Sequence, residues 1–188
     1  MSMQGWVEAL SSASADGPTL TNTVTATSLL LASAKPVLPA QYFNFIGKAL
    51  RVRVKGRIST VVTTPGTLTL DIRLGTTIIF TGGAMALNVN AQTNATFDVD
   101  VTLTCRSIGN GTTATALGIG FFSSRSVIGS AAVGVGSAGE LLLPDTAPVV
   151  GTGFDSTTAQ TIDVFGTWSV ASASNSITVH QFIIESLN

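Results

Sequence analysis

The stretch ALRVRVKGRISTVV, residues 49–62, decides the fold. Val52, Val54 and Ile58 fall on one side of a period-two alternation, and Arg51, Arg53, Lys55 and Arg57 fall on the other. Successive side chains of a strand point to opposite faces. The pattern therefore predicts a strand with one apolar face turned to a core and one cationic face turned outward.

The same period continues along the chain. Residues 67–75, TLTLDIRLG, place Leu68, Leu70, Ile72 and Leu74 inside and Asp71 and Arg73 outside. TTIIFTGG follows at once, which predicts a hairpin turning at Gly75–Thr76. Residues 95–109, ATFDVDVTLTCRSIG, put Phe97, Val99, Val101 and Leu103 inside. NGTTATALGIGFFSS, 110–124, reads as a glycine-softened strand after a turn at Asn110–Gly111. QTIDVFGTWSV and SITVHQFIIESL, joined by ASASN, read as a closing hairpin, with Ile177, Val179 and Gln181 on one face and Thr178, His180 and Phe182 on the other.

Less regular parts lie between. Asp16–Pro18 is a DGP turn signal, and Thr21–Leu31 reads as one weakly alternating strand. Residues 34–50 read as a loop anchored by Tyr42, Phe43 and Phe45, with a short helical turn within 37–46. Residues 126–156, rich in Gly, Ala and Pro, read as a long surface loop. About eight strands and no long helix predict an all-β, single-domain, jelly-roll-like antiparallel β-sandwich. Residues 21–188 form the sandwich, and residues 1–20 an N-terminal arm or first strand.

Composition bears on how such a domain lives. Charged residues are 10% of the chain, against about 25% in ordinary globular proteins. Thr (27) and Ser (19) supply the polarity instead, and mean hydropathy is +0.47. A surface this poor in charge suits an assembly that covers much of it. Net charge is −1, and residues 1–30 hold no Lys or Arg. MSMQGWVEALSS lacks a basic-then-apolar leader, and no apolar run approaches the ~18 residues of a membrane span. The expected site of synthesis is a cytoplasm, with no membrane partner.

The residues offer little chemistry. His180 is the single histidine, with no flanking nucleophile motif and no cluster of metal ligands, so it is expected to be structural. Cys105 is the single cysteine and sits in an alternating strand, as a buried thiol would. Asp98 and Asp100 share one face, which suits either an acidic site or cross-strand pairing with the row Arg51, Arg53, Lys55, Arg57; pairing is the plainer reading. With Lys48 that row gathers five of the nine basic residues into ten positions, a possible contact for an acidic partner surface. Interleaved aromatics for base stacking are missing from the row, and nucleic acid is not expected. Gly134-Val135-Gly136-Ser137-Ala138-Gly139 matches GxGxxG without the strand and helix that a dinucleotide site needs. Trp168 is expected in the core, and Trp6 as an anchor into a neighbouring subunit. No catalytic, cofactor-binding or metal residue is predicted; Trp6, Arg51, Arg53, Lys55 and Arg57 are the candidate assembly contacts.

The segments ALRVRVKGRISTVVTTPGTLTLDIRLG, GGAMALNVNAQTN and LLLPDTAPVVGTGFDSTTAQTIDVFGTWSVASASNSITVHQFIIESLN resemble a family of tailed-bacteriophage virion structural proteins, over nearly the whole chain from WVEAL. The resemblance implies a component of a phage particle. Together with the composition it leads to the expectation of a non-enzymatic capsid decoration (cement) protein, a trimer bound to the major capsid protein on the head surface. The alternatives are a tail, fibre or receptor-binding component that recognises a host glycan, and the shell protein of a small virus.

Overall fold

The structure is a computed structural model, and residues 7–129 and 138–188 are described. The strands are β1 (Glu8–Ser12), β2 (Leu20–Thr21), β3 (Thr27–Ser28), β4 (Val37–Leu38), β5 (Ala49–Thr60), β6 (Thr67–Leu74), β7 (Thr77–Ala86), β8 (Gln92–Ser107), β9 (Thr115–Ile128), β10 (Ala138–Leu143), β11 (Gln160–Trp168) and β12 (Ser176–Ser186). One turn of 3-10 helix covers Ala32–Ala34.

They form two antiparallel sheets. Sheet A runs β1-β12-β5-β8-β9-β10, with β2 also beside β12; sheet B runs β3-β11-β6-β7, with β4 also beside β11. Four antiparallel pairings nest inside one another along the chain: β1 with β12, β3 with β11, β5 with β8, and β6 with β7. That nesting is a long hairpin rolled on itself, the jelly-roll topology. The β9–β10 hairpin is inserted between the third and second of these pairs and widens sheet A beyond sheet B.

The core lies between the sheets and follows the alternation. Leu50, Val52, Val54 and Ile58 of β5, and Phe97, Val99, Val101 and Leu103 of β8, are buried against Leu68, Leu70, Ile72 and Leu74 of β6. Phe97 and Phe122 stack with ring centroids 5.7 Å apart. Full burial of such side chains contributes about 1.5–3 kcal/mol each. The β6–β7 hairpin turns at Gly75, whose φ of 58° lies in the left-handed region open to glycine. Trp168 and Cys105 are fully buried. Burial pushes the Cys105 thiol above its ordinary pKa, and its Sγ lies 3.2 Å from the Ser107 carbonyl oxygen.

Several expectations are corrected. The last two strands are not a hairpin: β11 lies in sheet B and β12 in sheet A. The ASASN link crosses the sandwich, and β12 sits inside sheet A between β1 and β5. The stretch from Thr21 to Leu31 is not one strand but two short ones, β2 in sheet A and β3 in sheet B, because the chain changes sheets there. The irregular region 126–156 includes the end of β9 and all of β10. Residues 37–46 hold β4 and turns, while the helical turn lies earlier, at Ala32–Ala34.

The face assignment of β12 also changes midway. Val179 pairs with Gly56 and Gln181 with Lys55, so His180 is the extra residue of a β-bulge. The bulge shifts the alternation by one position. Ile177, Val179, Phe182 and Ile184 all reach the core, and Gln181 is exposed. Gly56 is what lets this happen: a Cβ there would sit 2.0 Å from the Thr178 carbonyl oxygen.

Candidate functional site

The outer face of sheet A gathers the candidate residues, and the ladder register arranges them in rows. One row reads Ile183–Arg53–Asp100–Phe121–Leu142, the next Glu185–Arg51–Thr102–Ile119. On the other side lie Gln181–Lys55–Asp98–Ser123–Glu140 and then Thr178–Arg57–Thr96. The β8–β9 register ends at Phe97–Ser124, and the next residue on each strand, Thr96 and Arg125, lines the cleft at this end of the sheet.

Three of the four predicted cations are neutralised by the strand beside them. Arg51 Nη2 lies 2.5 Å from Asp100 Oδ2 and Arg51 Nε 2.9 Å from Oδ1, a two-pronged contact. Arg53 Nε is 3.5 Å from the same carboxylate, and Lys55 Nζ is 2.7 Å from Asp98 Oδ2. The two aspartates thus serve as cross-strand partners, as the spacing suggested. Hydrogen bonding to Asp100 holds the Arg51 guanidinium above its ordinary pKa range. Arg57 is exposed and has no ion-pair partner among the described residues. Lys48 does not belong to the row. It turns inward, its Nζ 5.0 Å from the Tyr42 ring centre and bonded to the Asn188 carbonyl oxygen. Trp6 and residues 134–137 of the GxGxxG match lie outside the described residues.

Asp100 is the better buried partner, with its side chain 8% exposed against 32% for Asp98. Asp100→Asn keeps the shape and removes the charge that faces two guanidinium groups. The expected loss is about 1–2 kcal/mol in urea unfolding at neutral pH, because the arginines are half-exposed and water screens part of the pair. Asp98→Asn, in the more exposed pair, is expected to cost about 0–1 kcal/mol. Equal losses for the two would contradict this ranking.

The opposite end of the same face is apolar. Leu117, Ile119 and Phe121 follow one another on the outer side of β9, with Leu142 of β10 beside Phe121 and Val150 bridged to Leu117. Leu142 is 70% exposed, Ile119 51% and Val150 50%. The signal for this stripe in the sequence is the alternate placing of Leu117, Ile119 and Phe121 along β9. β10, which completes the stripe, lay in the region read as loop.

A polar cleft opens at the end of the sandwich where β7 runs into β8 and β9 ends. It encloses about 590 Å³ and is lined by Asn90, Gln92, Asn94, Thr96 and Arg125 over a floor that includes Asn88. Asn88 is a structural staple: its Nδ2–H donates to the Ser126 carbonyl at 2.9 Å and its Oδ1 accepts from the Asn90 N–H at 2.9 Å. Asn94 (φ 49°) and Ser126 (φ 60°) both hold left-handed backbone here, an unusual density of such residues for non-glycine positions.

His180 stands apart from both regions. The bulge aims it at the DGP turn, where its Nδ1 lies 2.8 Å from Asp16 Oδ1. The Gly17 N–H donates to the Val179 carbonyl at 2.8 Å, so this contact fixes the turn against β12. Among the described residues no group of three His, Cys, Asp or Glu side chains is placed to hold a metal ion, and no helix is long and apolar enough to cross a membrane.

No family model matches the sequence, and no curated protein matches it. Among solved structures the chain is similar to the CBM2 module of the evolved Dit of Lactobacillus casei BL23 phage J-1. The two share 8% identity over 96% of each chain, with a TM-score of 0.35.

Proposed function

We propose that this chain is a non-enzymatic structural component of a tailed-phage virion, a decoration protein that sits as a homotrimer on the head shell and clamps neighbouring capsid subunits. The observation that carries the proposal is the apolar stripe Leu117–Ile119–Phe121 with Leu142 and Val150, on a strand pair added to an otherwise complete jelly roll. A monomer gains nothing by presenting such a stripe to water, whereas an obligate subunit contact is built from one. The low charge of the chain and the sequence resemblance to phage virion proteins support the same reading. In this role the mechanism is mechanical: burial of apolar surface between subunits holds the trimer, and the trimer's underside bridges shell subunits.

Immunogold labelling of purified particles with an antibody to this chain tests the proposal. Label spread over the head is the expected result. Label confined to the neck or tail tip overturns it in favour of a tail or receptor-binding component, a second reading that the amide-lined cleft favours. Absence of label on particles shown by mass spectrometry to contain the chain overturns surface exposure.

A further inference from the structure

The group Arg57, Thr96 and Arg125 differs from the neighbouring rows in one respect. In the other rows every predicted cation contacts a carboxylate: Lys55 and Arg53 meet Asp98 and Asp100 directly across the ladder, and Arg51, opposite Thr102, reaches Asp100 on the diagonal. Here too the central strand carries threonine, and an exposed arginine lies on the strand to either side of it, but among the described residues no carboxylate reaches either one. Two strand spacings separate their backbones, roughly 10 Å. The pair is therefore a gap of positive charge in a ladder that is otherwise neutralised.

That gap opens onto the polar cleft. Thr96 and Arg125 line it, and Arg57 is the ladder partner of Thr96 on β5. Four of the other lining residues, Asn88, Asn90, Gln92 and Asn94, carry side-chain amides, which offer donors and acceptors together and so suit hydroxyl groups, which also do both. Their backbone supports are fixed. The Asn94 N–H donates to Ser59 Oγ at 3.0 Å, and Gln92 Nε2–H to the Asn90 carbonyl at 3.2 Å. The described lining contains no aromatic ring, so it offers no platform for a nucleobase. Guanidinium groups bind carboxylate and phosphate through paired hydrogen bonds.

We infer that this cleft is a binding site for an acidic glycan, a polyhydroxylated chain carrying carboxylate or phosphate groups, with Arg57 and Arg125 taking the anions and Asn90, Gln92 and Asn94 the hydroxyls. The site does not depend on whether the protein sits on the head or the tail. It lies four residues along β9 from the nearest member of the apolar stripe, so a trimer built on the stripe need not cover it.

Calorimetric titration of the purified full chain tests it with four probes: oligogalacturonate, poly(glycerol phosphate), neutral maltoheptaose and a short oligothymidylate. The expected result is binding of one or both acidic polyols, weakened by added salt, with maltoheptaose at least about tenfold weaker. Preference for the uronate or for the phosphate polymer identifies which anion the arginines take. Arg57→Gln and Arg125→Gln are each expected to weaken binding by about tenfold with unchanged melting temperature. Arg106→Gln, an exposed arginine elsewhere on β8, is expected to leave it unchanged. The inference is overturned by failure of both acidic polyols to bind at millimolar concentration, by equal affinity for maltoheptaose, or by binding indifferent to both arginine changes. Oligothymidylate binding tighter than the acidic polyols, with the same arginine dependence, overturns it in favour of nucleic acid. These outcomes are independent of where immunogold places the protein on the particle.

Discussion

Replacing Trp168 by alanine is expected to cost about 3–5 kcal/mol, a large part of the 5–15 kcal/mol that holds a typical domain folded. The indole is fully buried at the end of β11, paired across sheet B with Leu68. Its Nε1–H points at the Leu20 carbonyl oxygen, 3.4 Å away. Leu20 belongs to β2, which pairs with β12 in the other sheet. The indole thus fills the core and also ties the two sheets together at one end. Leu20 is packed beside it over Gly166, where a Cβ would come within 2.9 Å of its Cδ2. Alanine leaves a cavity that a β-sandwich, clamped by ladders on both sides, collapses poorly. Trp168→Phe should recover most of the loss, because it restores apolar volume and forfeits only the N–H contact. Urea unfolding followed by circular dichroism measures both. A Trp168→Ala loss below about 2 kcal/mol, or a Phe variant no better than Ala, would contradict this account of the sandwich.

The second large effect concerns association. On the proposed reading, Ile119→Glu combined with Leu142→Glu converts the trimer into a folded monomer at micromolar concentration. Both side chains are more than half exposed, so the isolated fold loses little. In an assembled stripe the two carboxylates would lie in an apolar contact without partners, and burial of an unpaired charge costs several kcal/mol. The association constant should fall by at least about a hundredfold. Analytical ultracentrifugation reads the outcome. Val62→Glu, at an exposed apolar position in the 61–66 loop, serves as the control and should leave the trimer intact. A double variant that still sediments as the wild type does would place the subunit contact elsewhere and remove the main support for the decoration reading. A wild-type chain that is monomeric at high concentration would do the same.

The sequence carried the strands that pack by simple alternation. In β5, β6 and β8 the alternate apolar residues read correctly as the core face, although Asp71, expected outside on β6, is buried. The pairing of Asp98 and Asp100 with the cationic row was legible for the same reason, since both sets occupy outer positions of alternating strands. What failed was information held in tertiary contacts. The phase slip at His180 is invisible in SITVHQFII, because the bulge exists only where β12 settles onto Gly56. The available signal was that glycine itself: in the middle of a strict alternation it marks a close backbone approach. The pairing of the last two strands was misread because a short link suggests a hairpin, whereas in a jelly roll the link crosses between sheets. Lys48 looked like one more member of the cationic row, yet it precedes the strand and is drawn to Tyr42 and Asn188. The stripe and the cleft were hard to see for a common reason. Each is assembled from segments distant in sequence, and its character appears only when the register sets Leu142 beside Phe121 and the cleft gathers Thr96 and Arg125.

The nested pairing has a consequence for how the chain comes into being. β12 is a central strand of sheet A, yet it is synthesised after the other eleven strands described. Until residue 186 has left the ribosome, β1 and β5 each present an open edge with no neighbour to fill it. At roughly 5–20 residues per second, β1 waits on the order of ten to thirty seconds for its partner. In the meantime sheet B and the β5-β8-β9-β10 part of sheet A can pair, but the place of β12 between β1 and β5 stays empty. Contacts so distant along the chain also slow closure once the partner arrives. The chain would therefore spend its earliest moments as a half-rolled sheet, at its most vulnerable to pairing with the wrong copy.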